Sequence, residues 1–150
     1  MENSVLTTYR KQVIVASLLI TGLSLLFMLL FILLNQYGNP WIGYVGNLVV
    51  FLGVLFSILV HRKEYGGLSL GHLFTIGIAT AIISTVLIAI VTLILNVTIG
   101  NTMPETADQT RNRDIFMWAN VVFSNIFLGL LASVLAAVVV KRNQKTGKGR

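Results

Sequence analysis

The chain has 150 residues; 55% are hydrophobic, only 11% are charged, and the net charge is +6. A soluble domain carries roughly 25% charged residues, so this composition, with a mean hydropathy of +0.84, excludes an ordinary water-soluble fold. The absence of Cys excludes disulfides, thiolate metal sites and cysteine nucleophiles.

Four apolar segments follow one another at 12–34, 42–60, 73–95 and 116–140, and none contains Asp, Glu, Lys or Arg. Roughly 20 such residues cross about 30 Å of hydrocarbon as a helix. Transmembrane strands would need shorter segments of alternating polarity, which the sequence lacks. Helices also satisfy every backbone polar group internally. The first segment is longer than a signal-peptide core and runs into Asn35-Gln36-Tyr37-Gly38-Asn39-Pro40, so it reads as a retained anchor. The expected fold is all-α: one polytopic membrane domain over residues 1–150, with four transmembrane helices and a basic tail at 141–150.

The cations set the expected orientation. Arg10, Lys11, Arg62, Lys63, Lys141, Arg142, Lys145, Lys148 and Arg150 fall on one side of a four-span chain. Arg111 and Arg113 fall on the other, beside Glu105, Asp108 and Asp114. Cytoplasmic flanks carry the Lys/Arg excess. Both termini are therefore expected inside, and the loops 35–41 and 96–115 outside. Such placement explains the positive charge as a topology signal and argues against nucleic-acid binding. Tyr9 and Tyr65 at one interface, and Tyr37, Trp41, Tyr44 and Trp118 at the other, match the headgroup preference of amphipathic rings.

The connections carry their own signals. Pro40 marks a tight hairpin between the first two helices. In the second connection Gly66-Gly67 marks a turn and Ser69 is placed to cap the third helix. His61 and His72 flank that turn. Two imidazoles are too few for a protein metal site without a further ligand, and Glu64 is the only nearby carboxylate, so they read as amphipathic interfacial residues. In the long loop, Pro104-Glu105 reads as a break, Asp114 as a cap for the last helix, and Asn96-Val97-Thr98 as a glycosylation pattern at the membrane edge. Glu105, Asp108 and Asp114 read as solvated charge.

Lipid tails are as apolar as Leu, so small residues and cross-bonding polar groups must hold such helices together. Gly129, Ser133 and Ala137 recur every fourth position in the last helix; Gly77, Ala81 and Thr85 do so in the third. Ser17 and Thr21 form a shorter stripe in the first, and Gly43, Gly46, Asn47 and Gly53 gather in the second. These stripes predict packing within the bundle, or a seat for another subunit, with Gly129/Ser133/Ala137 as the preferred interaction surface. Asn47, Asn120, Ser124 and Asn125 place polar groups in the outer half of the membrane. They predict hydrogen bonds between helices or, alternatively, a small polar cavity.

No HExxH, GxSxG, Walker or dinucleotide pattern occurs, and no span carries Pro or a charged residue. No catalytic residue, cofactor or metal is expected. The stretch His61-Arg62-Lys63-Glu64-Tyr65-Gly66-Gly67-Leu68-Ser69-Leu70-Gly71-His72, leading into Leu73-Phe74-Thr75-Ile76-Gly77, resembles a family of uncharacterised four-helix membrane proteins typical of Bacteroidota, a domain of unknown function. Pro104-Glu105 and the Lys141-Arg142 tail are similar as well, so the resemblance spans nearly the whole chain. It implies four helices and a bacterial inner-membrane address, and supplies no site residues. The expected role is a non-catalytic accessory or scaffold subunit, with a small oligomeric transporter or channel as the alternative. The expected partners are the bilayer, further membrane proteins or a second copy, and anionic lipid at the basic tail, with no nucleic acid.

Overall fold

The computed structural model describes residues 2–36, 41–65, 69–99, 115 and 118–146. Four helices account for nearly all of them: α1 Glu2–Leu33, α2 Trp41–Tyr65, α3 Leu70–Ile99 and α4 Asn125–Thr146, the last entered through a π-helical turn at Ala119–Ser124. Each, α4 together with the end of the π turn from Val121, supplies a stretch long and apolar enough to cross a membrane. Pro40, Gly66-Gly67, Pro104, Glu105, Asp108, Asp114 and residues 147–150 lie outside the described residues, as do the side chains of Tyr65, Asn120 and the tail from Lys141.

Cross-helix contacts fix the directions. Gln12 on α1 meets His61 on α2, and Ile20 lies against Gly53. His61 faces His72 on α3, and Ile58 reaches Gly77. Ser133 on α4 lies against Gly77, and Gly129 against Ala81. Consecutive helices are therefore antiparallel, and both chain ends emerge at one end of the bundle, here called the terminal end. Helices α2 and α3 touch each other and both outer neighbours, while α1 and α4 stand at opposite corners.

Polarity is inverted relative to a soluble bundle. Ser17, Ser24, Thr80, Ser84, Thr85, Asn125 and Ser133 are buried, whereas Leu19, Leu26, Phe56, Phe123 and Phe127 project outward, Phe123 being 79% exposed. Water would penalise that surface by about 25 cal/mol per Å² of apolar area; hydrocarbon does not, and the chain is a membrane protein. Three of the buried hydroxyls bond back to their own helix: Ser17 to the Val13 carbonyl (2.8 Å), Ser84 to that of Ala81 (3.1 Å) and Ser133 to that of Gly129 (2.7 Å). Ser17 Oγ also donates to the Thr80 carbonyl at 3.3 Å, joining α1 to α3.

The helix ends follow local chemistry. Asn35 has a φ of 53°, the Gln36 N–H donates to the Phe31 carbonyl (2.8 Å) and the Asn35 N–H to that of Ile32 (3.0 Å). This left-handed cap stops α1, and Asn tolerates it better than most residues. Ser69 caps α3 as expected, its Oγ accepting the His72 N–H at 3.3 Å. The structure departs from the sequence reading at the ends of the spans. Helix α3 continues through Ile99, so Asn96-Val97-Thr98 is helical and not loop, with Thr98 Oγ1 donating to the Ile94 carbonyl at 2.7 Å. The last span, expected as one regular helix, begins with the π turn.

Candidate functional site

Three groups of residues stand out. The first is the α3–α4 contact at mid-bundle. A methyl built on Gly77 would strike Ser133 and come within 2.7 Å of Ile58 Cδ1; one built on Gly129 would strike Ala81. Gly77, Ala81, Gly129 and Ser133 thus interlock, and Ala137 is buried on the same side of α4. Of the two readings of the Gly129/Ser133/Ala137 stripe, packing within the bundle and a seat for another subunit, the structure has the first at Gly129 and Ser133, which lie against α3 of the same chain. Its residues are small because two helix backbones close on each other there.

The second group is a polar layer in the half of the bundle away from the termini. Continuing the Gly77–Ser133 and Ala81–Gly129 register one turn brings Thr85 level with Asn125. Both are buried, and neither Thr85 Oγ1 nor Asn125 Oδ1 has a hydrogen-bond partner among the described residues. Ser24 Oγ on α1 and Thr92 Oγ1 on α3 are buried in the same condition. Asn47 is half-buried on α2. Ser124 is half-buried at the end of the π turn, and Asn120 lies on that turn. Asn125 reaches the interior; the meeting expected of Asn120 with Ser124 and Asn47 falls outside the described residues, because it involves the Asn120 side chain. A π turn opens the helix by one residue and often accompanies function; no Gly or Pro between Ala119 and Ser124 signalled it.

An orphaned buried hydroxyl costs more than an apolar group of the same shape. Thr85→Val is accordingly expected to raise the unfolding free energy by about 1 kcal/mol, read from reversible denaturation in mixed micelles. A loss of stability instead would mean that the Thr85 hydroxyl is satisfied by water or a solute.

The third group sits at the terminal end, where α1, α2 and α3 converge. The His61 ring is 4% exposed, and its Nδ1 is hydrogen-bonded to Gln12 Oε1. The His72 ring lies 5.9 Å from it, centroid to centroid, at 29°. The Tyr9 ring also lies beside His72, with centroids 5.5 Å apart and planes at 54°. His72 Nε2 is buried and lacks a hydrogen-bond partner among the described residues. Arg10, Lys11 and Lys63 are exposed nearby in sequence and Arg62 is half-buried. The sequence pointed to both histidines but not to Gln12 or Tyr9, which reach them only through the antiparallel hairpins. No group of three or more His, Cys, Asp or Glu assembles among the described residues. Beyond these groups, Trp41 and Tyr44 stand exposed at the opposite end, edge to face at 5.7 Å.

Comparison with family models, with curated proteins and with solved structures gives no match.

Proposed function

We propose that the chain is a non-catalytic accessory or scaffold subunit of a bacterial inner membrane, with both termini in the cytoplasm. The observation that carries this reading is the interlock of Gly77 with Ser133 and of Gly129 with Ala81. Helices closed to backbone contact at mid-membrane leave no room for a solute between α3 and α4, and they make a rigid block suited to holding partners in place. The orientation rests on the Lys/Arg bias of the flanks, and the bacterial address on the resemblance described above. Helices α1 and α4, at opposite corners, present broad apolar faces to lipid, to other membrane proteins or to a second copy. The basic tail is suited to anionic lipid.

The test has two arms. A fluorescent reporter fused after Arg150 is expected to be active only inside the cell. The purified chain, reconstituted alone, is expected to pass no ions or small solutes above empty vesicles, while in mild detergent it travels with a second membrane protein in fixed stoichiometry. Solute flux from the chain alone sinks the accessory reading.

One observation favours a second reading, an oligomeric transporter or channel. Ser24, Thr85, Thr92 and Asn125 each bury an oxygen without a partner among the described residues, which is what a hydrated path would satisfy. Since the chain has no Cys, single cysteines at Ser124 and Asn125 can be challenged with a water-soluble thiol reagent. Labelling supports the path; complete protection counts against it.

A further inference from the structure

We propose that the π turn Ala119–Ser124 is a one-residue register switch, whose second position is a regular α-helix that turns Trp118 onto Thr92 of α3. The spacing of the contacts carries it. Ala81 on α3 lies against Gly129 on α4. Thr92 stands eleven residues after Ala81, and Trp118 eleven residues before Gly129. Eleven residues make about three turns at roughly 3.6 per turn. In two regular antiparallel helices Trp118 would therefore oppose Thr92 on the faces that bring Gly129 against Ala81. The π turn lies between Trp118 and Gly129 and holds about one residue more than an α turn does. It rotates Trp118 off that face by on the order of 100°, the step of one residue, and Trp118 is half-buried.

The rotation leaves an acceptor unused. Thr92 is 6% exposed, and its Oγ1 is buried without a hydrogen-bond partner among the described residues. The indole of Trp118 carries one N–H donor, and a hydroxyl oxygen accepts such a bond. In the regular register this donor comes to the side of α4 that faces Thr92. A buried hydroxyl left unpaired is unfavourable, so the second register gains a bond that the first lacks.

The rest of the bundle permits the change. Gly129 and Ser133, which seat α4 on α3, both follow the π turn in the chain and keep their places while the residues before them rotate. Within the turn, Phe123 (79% exposed) stays on the outer face, and Val122 (36% exposed) moves inward beside the buried Val121. Apolar groups replace apolar groups. Nothing in Ala-Asn-Val-Val-Phe-Ser demands a wide turn. The ladder tightens again directly after it, the Asn125 N–H donating to the Val122 carbonyl three residues back. Two states that differ by one hydrogen-bond register are discrete, and whatever binds the start of α4 selects between them. The switch serves an accessory subunit and a channel alike.

The test uses the full chain in detergent with Trp41→Phe, which leaves Trp118 as the only tryptophan. Its emission and its quenching by acrylamide, a water-soluble quencher, are recorded with and without deletion of Val122. The deletion removes the extra residue and leaves the regular register. It is expected to keep the unfolding midpoint at or above that of the undeleted chain, to shift emission to shorter wavelength and to lower the quenching constant by about half or more. Thr92→Val withdraws the acceptor and is expected to raise Trp118 quenching in both the deleted and the undeleted chain, whereas Thr92→Ser keeps the hydroxyl and should leave it unchanged. Equal quenching before and after the deletion overturns the proposal, and so does quenching that ignores Thr92→Val. If the deleted chain fails to fold, the comparison of Thr92→Val with Thr92→Ser in the undeleted chain decides alone.

Discussion

Gly129→Ala is expected to lower the unfolding free energy by about 1–3 kcal/mol, the usual cost of forcing a methyl into a closed contact. The added methyl meets Ala81, whose own side chain is a bare methyl with no rotamer to yield. Only a shift of α3 away from α4 relieves the clash, and that opens contacts along both helices. Removing the opposing methyl restores the space, so Gly129→Ala combined with Ala81→Gly should recover most of the loss. Such recovery is a coupling between neighbours that additive effects cannot mimic. Gly77→Ala is expected to be harsher, because the new methyl meets Ser133 and also Ile58 Cδ1 at 2.7 Å. Ser133→Gly should rescue it only in part, since Ile58 remains. Ser133→Leu separates the two places a small-residue stripe can work. Ser133 is 0% exposed and packs on Gly77, so the larger side chain should unfold the chain without first changing its association. A Ser133→Leu protein that folds normally but changes oligomer size would put the stripe on an outer face and overturn this arrangement.

The four helices were legible in the sequence because hydropathy is a property of each segment by itself. The pairing of the stripes was not. A repeat at every fourth residue says that Gly129, Ser133 and Ala137 share a face, but the face carries no mark of the helix it meets. That is settled by which small residues lie at the same depth on a neighbour, here Gly77 and Ala81. The terminal-end cluster was half legible for a similar reason. His61 and His72 announce themselves on either side of a Gly-Gly turn, whereas Gln12 and Tyr9 stand where an apolar segment begins and look like a boundary. Their role follows from the hairpins, which bring the starts of α1 and α3 to the end of α2. Glu2–Lys11 continuing α1 beyond its apolar part, and the π turn before Asn125, had no signal at all. Helix ends outside hydrocarbon are not bound by hydropathy, and the sequence Ala-Asn-Val-Val-Phe-Ser contains nothing that breaks a helix.

Ile58→Ala and Phe56→Ala should part company by about 2 kcal/mol, and the difference measures what the outside of the bundle faces. The two residues are half a turn apart on α2; Ile58 is fully buried and Phe56 is 67% exposed. In water the buried Ile58 would forfeit a transfer free energy on truncation, and the exposed Phe56 little of one. In a membrane the helices separate into lipid as they unfold, and lipid solvates Ile about as well as a protein core does. The transfer contribution of Ile58 then vanishes, and what is left is the void. For Ile58, roughly 80 Å³ of lost side chain at about 24 cal/mol per Å³ gives about 2 kcal/mol. Phe56 leaves no void, since acyl chains fill the space, and its truncation should stay within about 0.5 kcal/mol. Reversible unfolding in lipid bicelles reads both values. If Phe56→Ala proved as costly as Ile58→Ala there, the outward face of α2 would be covered by protein and not by lipid. Repeating the pair with the chain held in its native membrane then turns the same measurement on an accessory role: a cost at Phe56 that appears only in the native membrane marks the side of the bundle on which a partner sits.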